Sequence, residues 1–291
     1  MNHNEIKRAG VAALGLLIFV LIGWWLHPYF AGDKEIQSVI LQLGIWQIRW
    51  YGVLMASAVV LALLGISHLA KATPWEPHIL GLITSAVGGG IIGARLLFVI
   101  LKWSEFAATP LEIFNLPGGG LSIHGALLGG ALTVYWYCRM HKLSFGAVAD
   151  LLIPWVALGQ MIGRFGNFFN QEAFGGPTDL PWKMWITPAL RPEGWQNYSW
   201  FHPTFLYESI GSLIVLLILL IVQRKKLPVG TVALTYAGAY SVLRFGIEFF
   251  RIDSDKWGSL TVAQWGSLVI IFISLIGGLI LKYSNSSRSK L

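Results

Sequence analysis

The sequence predicts an all-α fold: a polytopic bundle of membrane-spanning helices with a small outer loop region. Three observations predict it. Of the 291 residues, 55% are hydrophobic and only 12% are charged, whereas a soluble domain carries about 25% charged residues. Long apolar runs recur along the chain, each near the roughly 20 residues that cross a bilayer. The Lys and Arg between these runs concentrate in alternate loops. A membrane barrel fails as an alternative, because the apolar runs are continuous rather than alternating.

The spans read, in order, as 10–28, 49–71, 78–101, 119–138, 146–167, 204–222, 229–250 and 261–281. The first follows Lys7-Arg8 and resembles a secretory signal. Pro28-Tyr29-Phe30-Ala31-Gly32 is a poor small-residue cleavage site, so 1–31 is expected to stay as an uncleaved anchor. Residues 32–48 read as an outer linker, and seven spans fill 49–282. The outer loop at 168–203 is rich in Gly, Pro and Trp and long enough to form a small head. Residues 283–291 read as a tail. Gly89 with Gly93, Gly125 with Gly129 and Gly159 with Gly163 have the spacing of close helix contacts. No internal repeat is visible.

With the N-terminus inside, the inner segments hold Lys7, Arg8, Lys71, Arg139, Lys142 and the Arg224–Lys226 run, with Glu5 and Glu76 as their acids. Most other acids fall on outer segments. Both termini are then cytoplasmic. The net charge of +7 belongs to topology and to contact with anionic membrane lipids, not to nucleic acid. The single cysteine, Cys138, excludes an internal disulfide, a multi-cysteine metal site and a dithiol redox motif. Many Trp and Tyr suit aromatic belts at the two interfaces.

Function is legible in the polar residues that the spans contain. Arg49, Arg95, Arg164 and Arg244 lie in apolar segments. An arginine in hydrocarbon costs about 2.5–3.5 kcal/mol on insertion scales, and guanidinium forks suit phosphate and carboxylate. The expectation is a membrane-embedded site for an anionic, phosphate-bearing ligand. The threading brings Tyr51, Arg95, the Gly118–Gly120 run with His124, then Arg164, Asn167, Asn170, His202, Tyr207 and Glu208 to one depth near the outer leaflet. Tyr240, Arg244 and Glu248 recur every fourth residue, on one helix face.

Bland readings stand beside these. Arg49 can snorkel to water, and Tyr51 suits an aromatic belt. Arg244 and Glu248 are equally a structural i,i+4 pair. His202-Pro203 suits a helix start. Glu208 and Asp150 suit buried helix contacts, and Asp150 sits apart from the cluster. The glycine run is either a flexible helix start or a backbone nest for an anion. His124 is suited to acid–base work near neutrality; arginines would lower its pKa and a glutamate would raise it.

Five segments carry a resemblance. They are Arg49-Trp50-Tyr51-Gly52, Gly118-Gly119-Gly120-Leu121-Ser122-Ile123-His124-Gly125, the run from Gly163-Arg164-Phe165-Gly166-Asn167 to Glu172, His202-Pro203-Thr204-Phe205-Leu206-Tyr207-Glu208, and Arg244-Phe245-Gly246-Ile247-Glu248-Phe249-Phe250-Arg251. In this order, over roughly 44–282, the chain resembles the bacterial prolipoprotein diacylglyceryl transferases. The resemblance implies a seven-span enzyme, here with an additional N-terminal span, in the bacterial cytoplasmic (inner) membrane, its site toward the outer leaflet. It implies transfer of the diacylglyceryl group of phosphatidylglycerol to the lipobox cysteine of a prolipoprotein signal peptide. A thioether forms and glycerol phosphate leaves, with no cofactor and no metal.

The family's residues carry over as Arg164, Asn167, Glu172 and Gly175 in the signature stretch, His124 in the glycine-rich stretch, Tyr51, and Tyr240, Arg244 and Glu248. The resemblance thus makes His124, Arg164, Arg244, Tyr51 and Glu248 the catalytic set. Asn167, Glu172, Gly175 and Tyr240, together with Arg95, Asn170 and Glu208 from the threading alone, join Arg164 and Arg244 in substrate binding. Residue 126 is Ala where a second glycine is common.

Functions of other classes need other features. A transporter or flippase for an anionic phosphate-bearing solute would also bury arginines, but it favours repeat symmetry and a site at mid-membrane. An intramembrane protease is poorly served by Ser122 and His124 in one segment. A scaffold needs no reaction at Arg164.

Overall fold

Helix boundaries follow the apolar runs closely. The computed structural model describes residues 21, 23–44, 46–71, 73–116, 119–225 and 227–288, with side chains to 283. Among the described residues seven long helices follow one another: α1 Trp50–Leu69, α2 Ile79–Leu101, α3 Ile123–Met140, α4 Phe145–Asn170, α5 Thr204–Gln223, α6 Thr231–Ile247 and α7 Val262–Arg288. Among the described residues, five helices are long and apolar enough to cross a membrane, α1, α2, α4, α5 and α7. The chain is a mostly helical, multi-pass membrane protein. The span at 10–28 lies largely outside the described residues; of it, 23–28 are helical, and that helix continues to residue 30. Residues 283–288, read as tail, continue α7.

Among the described residues three two-stranded antiparallel sheets depart from a purely α reading: β1 Val39–Leu43 with β2 Trp46–Arg49, β3 Met184–Trp185 with β4 Trp200–Phe201, and β5 Lys256–Trp257 with β6 Leu260–Thr261. The first occupies the segment read as a linker. Gly44 supplies its turn with φ +59°, a conformation that costs glycine little. α7 then starts on a capping box that the local sequence encodes. Thr261 Oγ1 accepts from Gln264 N–H at 3.2 Å, and Gln264 Oε1 accepts from Thr261 N–H at 3.0 Å.

Two units divide the chain. The first comprises the described residues up to Ala56 with Gln160–Ile214 and Tyr240–Ile271. Its core is aromatic. Phe168, Phe169, Phe201 and Phe205 pack with Leu26, Phe174, Met184 and Ile186. Trp50 stacks on Phe169 with centroids 4.5 Å apart and planes 12° apart, so the start of α1 is held against the end of α4.

The second unit comprises Ser57–Gly159, Val215–Ala239 and the described residues from Phe272 on. Here α2 and α3 meet backbone to backbone. A Cβ on Gly125 would lie 2.2 Å from Gly93 O, and one on Gly129 would lie 2.2 Å from Gly89 O. Only glycine permits this approach. The third expected pair departs from that pattern: a Cβ on Gly159 meets nothing within 4 Å, and one on Gly163 meets only Met55 Sδ, at 3.2 Å.

Pro154 lies inside α4 and has no N–H for the carbonyl of residue 150. Gln223 fills the gap by donating from Nε2 to Asp150 O at 2.9 Å. The Asp150 carboxylate accepts from Gly230 N–H at 2.7 Å and Ala233 N–H at 2.9 Å, and so caps α6 from a neighbouring helix. Asp150→Ala is expected to lower stability by about 1–2 kcal/mol, read as a drop in the midpoint of thermal unfolding in detergent.

Candidate functional site

The first unit gathers three arginines around one carboxylate. Glu208, on the first turns of α5, is only 2% exposed. Three arginines surround it. Arg164 Nη2, from the C-terminal part of α4, lies 2.5 Å from Glu208 Oε2, while Arg244 Nη1 and Arg251 Nη1 lie 3.7 Å and 3.6 Å from Glu208 Oε1. Arg244 and Arg251 have further acids of their own. Arg244 Nη2 is 2.7 Å from Glu248 Oε2, and Arg251 holds exposed Asp253 through Nε at 3.0 Å and Nη2 at 2.6 Å. Arg164 Nη2 also donates to the Tyr240 hydroxyl at 3.2 Å. Arg244 Nη1 is buried and makes no hydrogen bond among the described residues. The cluster therefore holds permanent cations, nearly dry carboxylates and a donor with spare capacity. Such a group can receive an anion.

The local sequence explains how these side chains are presented. Arg244 and Glu248 are four residues apart, and the helix tightens to a 3-10 turn at Glu248–Phe250 before Arg251 leaves it. Gly166 carries the ring of Tyr51: a Cβ there would lie 2.2 Å from Tyr51 Cδ2. Thus the glycine after Arg164-Phe165 is a seat for that tyrosine. Beyond α4 the chain turns through two non-glycine residues with positive φ, Gln171 at 49° and Ala173 at 55°. Such positions are uncommon for side-chain-bearing residues and mark constrained turns. Gln171 accepts from Thr187 N–H at 2.7 Å, and Thr204 Oγ1 donates to Ala173 O. Asn167 O accepts from Glu172 N–H at 3.0 Å, and Asn170 Nδ2 donates to Glu172 Oε1 at 3.1 Å.

Gly175 sits where no side chain fits. Its Cβ would meet Phe250 O at 2.6 Å and His202 Cβ at 2.8 Å. The neighbouring backbone is laced: Gly175 N–H donates to His202 O at 2.9 Å and Gly176 N–H to Phe250 O at 2.8 Å. The head is thereby stitched to the residue preceding Arg251. Beside it, Trp182 Nε1 donates to Tyr207 Oη at 2.8 Å, and Tyr207 Oη lies 3.1 Å from His202 Nδ1. Burial lowers the pKa of His202 below the ordinary value of 6.5.

Of the residues singled out in the sequence, Arg164, Glu208, Tyr240, Arg244 and Glu248 are in direct contact as one cluster, and Tyr51, Asn167, Asn170, Glu172 and Gly175 belong to the same unit. Arg95 and His124 belong to the other unit. His124 is exposed near the start of α3. Arg95, read as a ligand-binding cation, is 7% exposed and has every donor engaged by backbone carbonyls. The two glycines read as a possible anion nest turn carbonyls, not N–H groups, on this arginine: Gly119 O and Gly120 O accept from Arg95 Nη1 at 2.7 and 3.0 Å. Gly118 lies outside the described residues. Arg49 pairs with Gln47 Oε1 on exposed β2. The span reading ends at residue 250, so sequence reasoning left Arg251 outside it and missed its part in the cluster. Its spacing of seven from Arg244, two helical turns, is the signal that points to one face.

A family model described as prolipoprotein diacylglyceryl transferase matches residues 38–280. A phosphatidylglycerol–prolipoprotein diacylglyceryl transferase of Acaryochloris marina is 47% identical over 241 residues, covering 82% of this chain and 88% of the relative. Proteins of the same name from Synechococcus sp. (strain CC9902) and Gloeobacter violaceus are 45% and 43% identical, covering 79% and 86% of this chain and 85% and 94% of the relatives.

Gly175→Ala is expected to loosen the head and to displace Arg251, seen as faster amide exchange at 171–178 and 250–253. The pH response of the head follows from His202. Its folded pKa is lowered, so the unfolded chain binds the proton more readily, and stability rises with pH. The contribution is full above the ordinary histidine value and is lost as pH falls through it toward the folded pKa. A melting curve of His202→Gln should depend less on pH across that window than that of the parent.

Proposed function

The chain belongs to the prolipoprotein diacylglyceryl transferase family, and from that premise we propose how its arginine cluster serves the reaction. The enzyme transfers a diacylglyceryl group from phosphatidylglycerol to a prolipoprotein. A transporter or flippase for an anionic solute is not favoured. In our reading the acceptor is the lipobox cysteine of the signal peptide, and the sn-1,2-diacylglyceryl group is what moves. The thiol loses its proton and the sulfur attacks the diacylglyceryl carbon that bears the phosphate ester. The S–C bond of a thioether forms, the C–O bond to the phosphate breaks, and glycerol phosphate leaves with the electron pair.

One observation carries the assignment of roles. Arg164 and Arg244, from two helices, flank buried Glu208, and Arg244 Nη1 has no hydrogen-bond partner among the described residues. The ester phosphate carries one negative charge, and a second develops as the C–O bond breaks. Fixed cations therefore act more strongly on the transition state than on the bound lipid. Glu208 and Glu248 hold the two guanidinium groups in place, and Tyr240 supports Arg164. Asn167, Asn170 and Glu172 offer hydrogen bonds to glycerol hydroxyls, beside the Gly175 turn. A free thiol has a pKa near 8.5 and needs a base or a positive field. His124 is our candidate base on its chemistry alone; Tyr51 and Glu248 are weaker ones, and Glu248 is already committed to Arg244. Cys138 is fully buried, which argues against a covalent intermediate on it. The basic residues of the inner segments support an inner-membrane enzyme with cytoplasmic termini and a site at the outer leaflet.

Purified protein in detergent, given phosphatidylglycerol and a lipobox peptide, should add a diacylglyceryl mass to the peptide and release glycerol phosphate in equal amount. Folded Arg164→Ala should lose about 100-fold or more in rate, since one such donor contributes about 3 kcal/mol. Release of glycerol phosphate without a gain of peptide mass would point to a phospholipase and overturn the acceptor assignment.

A further inference from the structure

We infer that Arg95 is a positioning residue of the transferase, which fixes the backbone around His124 and does not contact the lipid phosphate. This rests on the reading of His124 as the base. A guanidinium has five N–H donors, and all five of Arg95 are used. Nε donates to Ile113 O at 2.8 Å. Nη1 donates to Gly119 O at 2.7 Å and Gly120 O at 3.0 Å, and Nη2 to Glu112 O at 2.5 Å and Asn115 O at 3.2 Å. The ring of buried Phe106 covers the cation, 5.1 Å from centroid to Cζ. No donor remains for a phosphate unless this segment opens.

The acceptors lie at 112–115 and at 119–120, and the glycines that lead into α3 are shaped for them. Gly119 and Gly120 have φ +87° and +77°, a region disfavoured for other residues. A Cβ on Gly120 would lie 2.6 Å from Phe98 and 2.8 Å from Arg95 Nη1. One residue before Arg95, Ala94 O accepts from Ser122 N–H at 3.0 Å. Ser122 Oγ then accepts from Gly125 N–H at 3.4 Å, as the cap of α3. Gly125 itself is pressed against Gly93. His124 thus stands between two fixed points, the Ser122 tie and the Gly125 contact. Both are made to the turn of α2 that carries Arg95, at Ala94 and Gly93. A permanent cation is here committed to backbone carbonyls and holds the loop that supplies them.

The kinetic signature separates this role from phosphate binding. A misplacement of about 1 Å can cost about 100-fold in rate, without changing affinity for a lipid that the residue does not touch. Arg95→Lys keeps the charge but has three donors. Gly120→Ala keeps the arginine and disturbs its cage. Phe106→Leu is a milder disturbance, should either of the others unfold. With phosphatidylglycerol and lipobox peptide, kcat should fall about 10- to 100-fold for the first two and less for the third. KM for phosphatidylglycerol should stay within about twofold, and amide exchange over 112–124 should quicken. A raised KM with kcat retained would make Arg95 a lipid ligand and overturn the inference, as would full activity in folded Gly120→Ala. Full activity in His124→Gln would instead sink the base assignment. In that case slowed Arg95 variants would still mark 119–124 as the segment being held.

Discussion

The first unit depends on a single carboxylate kept almost dry among three guanidinium groups. Arginines cannot shed their charge, and three held near one point repel one another. Glu208 resolves the conflict, because each cation gains by approaching it. Burying the acid without partners would cost several kcal/mol, and burying the arginines without the acid would cost more. The arrangement is consequently all or none. It is a demanding way to fold a membrane protein and a useful way to keep cations in readiness. The partners also differ in reach: Arg251 is gripped by Asp253 through two bonds, whereas Arg244 keeps a nitrogen with no hydrogen bond among the described residues. An arriving anion meets a cluster that is nearly neutral in sum but uneven in its bonding.

Much of the helical frame was legible from hydropathy, for a plain reason. In lipid every backbone group must be satisfied within the segment, so an apolar run of the right length has few alternatives to a helix. The runs at 49–71, 78–101, 204–222 and 261–281 correspond closely to α1, α2, α5 and the apolar length of α7. The hairpin at 39–49 was not legible. Val39-Ile40-Leu41-Gln42-Leu43 is too short to show a clear period, and a two-stranded ribbon leaves little pattern when both faces are exposed. At the site, spacing pointed to Tyr240, Arg244 and Glu248. It could not show that Glu208 would bind three arginines, since such contacts join residues far apart in sequence.

Glycine shows the same limit more sharply. Gly89, Gly93, Gly125 and Gly129 have the small-residue spacing of helix contacts, and the backbones do meet there. Gly159 has the same spacing and an open side. The pattern identifies faces on which close approach is allowed; a partner's presence is decided elsewhere. Gly166 and Gly175 lack that pattern and are sterically obligatory all the same, one for the Tyr51 ring and one for the Phe250 carbonyl. Gly119 and Gly120 invert the usual expectation for a glycine run, because the groups they turn inward are acceptors.

The chain of contacts at Trp182, Tyr207 and His202 has a direction. An indole nitrogen can only donate, so the Tyr207 oxygen is the receiver at one end and its own hydrogen is free to point at His202 Nδ1. The Tyr207 hydroxyl lies 3.1 Å from His202 Nδ1, and burial lowers the pKa of that imidazole. An exposed indole, Trp182, is thus tied through a single phenol to the side chain whose titration sets the pH response of this segment, so a change at the surface ring reaches the imidazole without passing through the backbone.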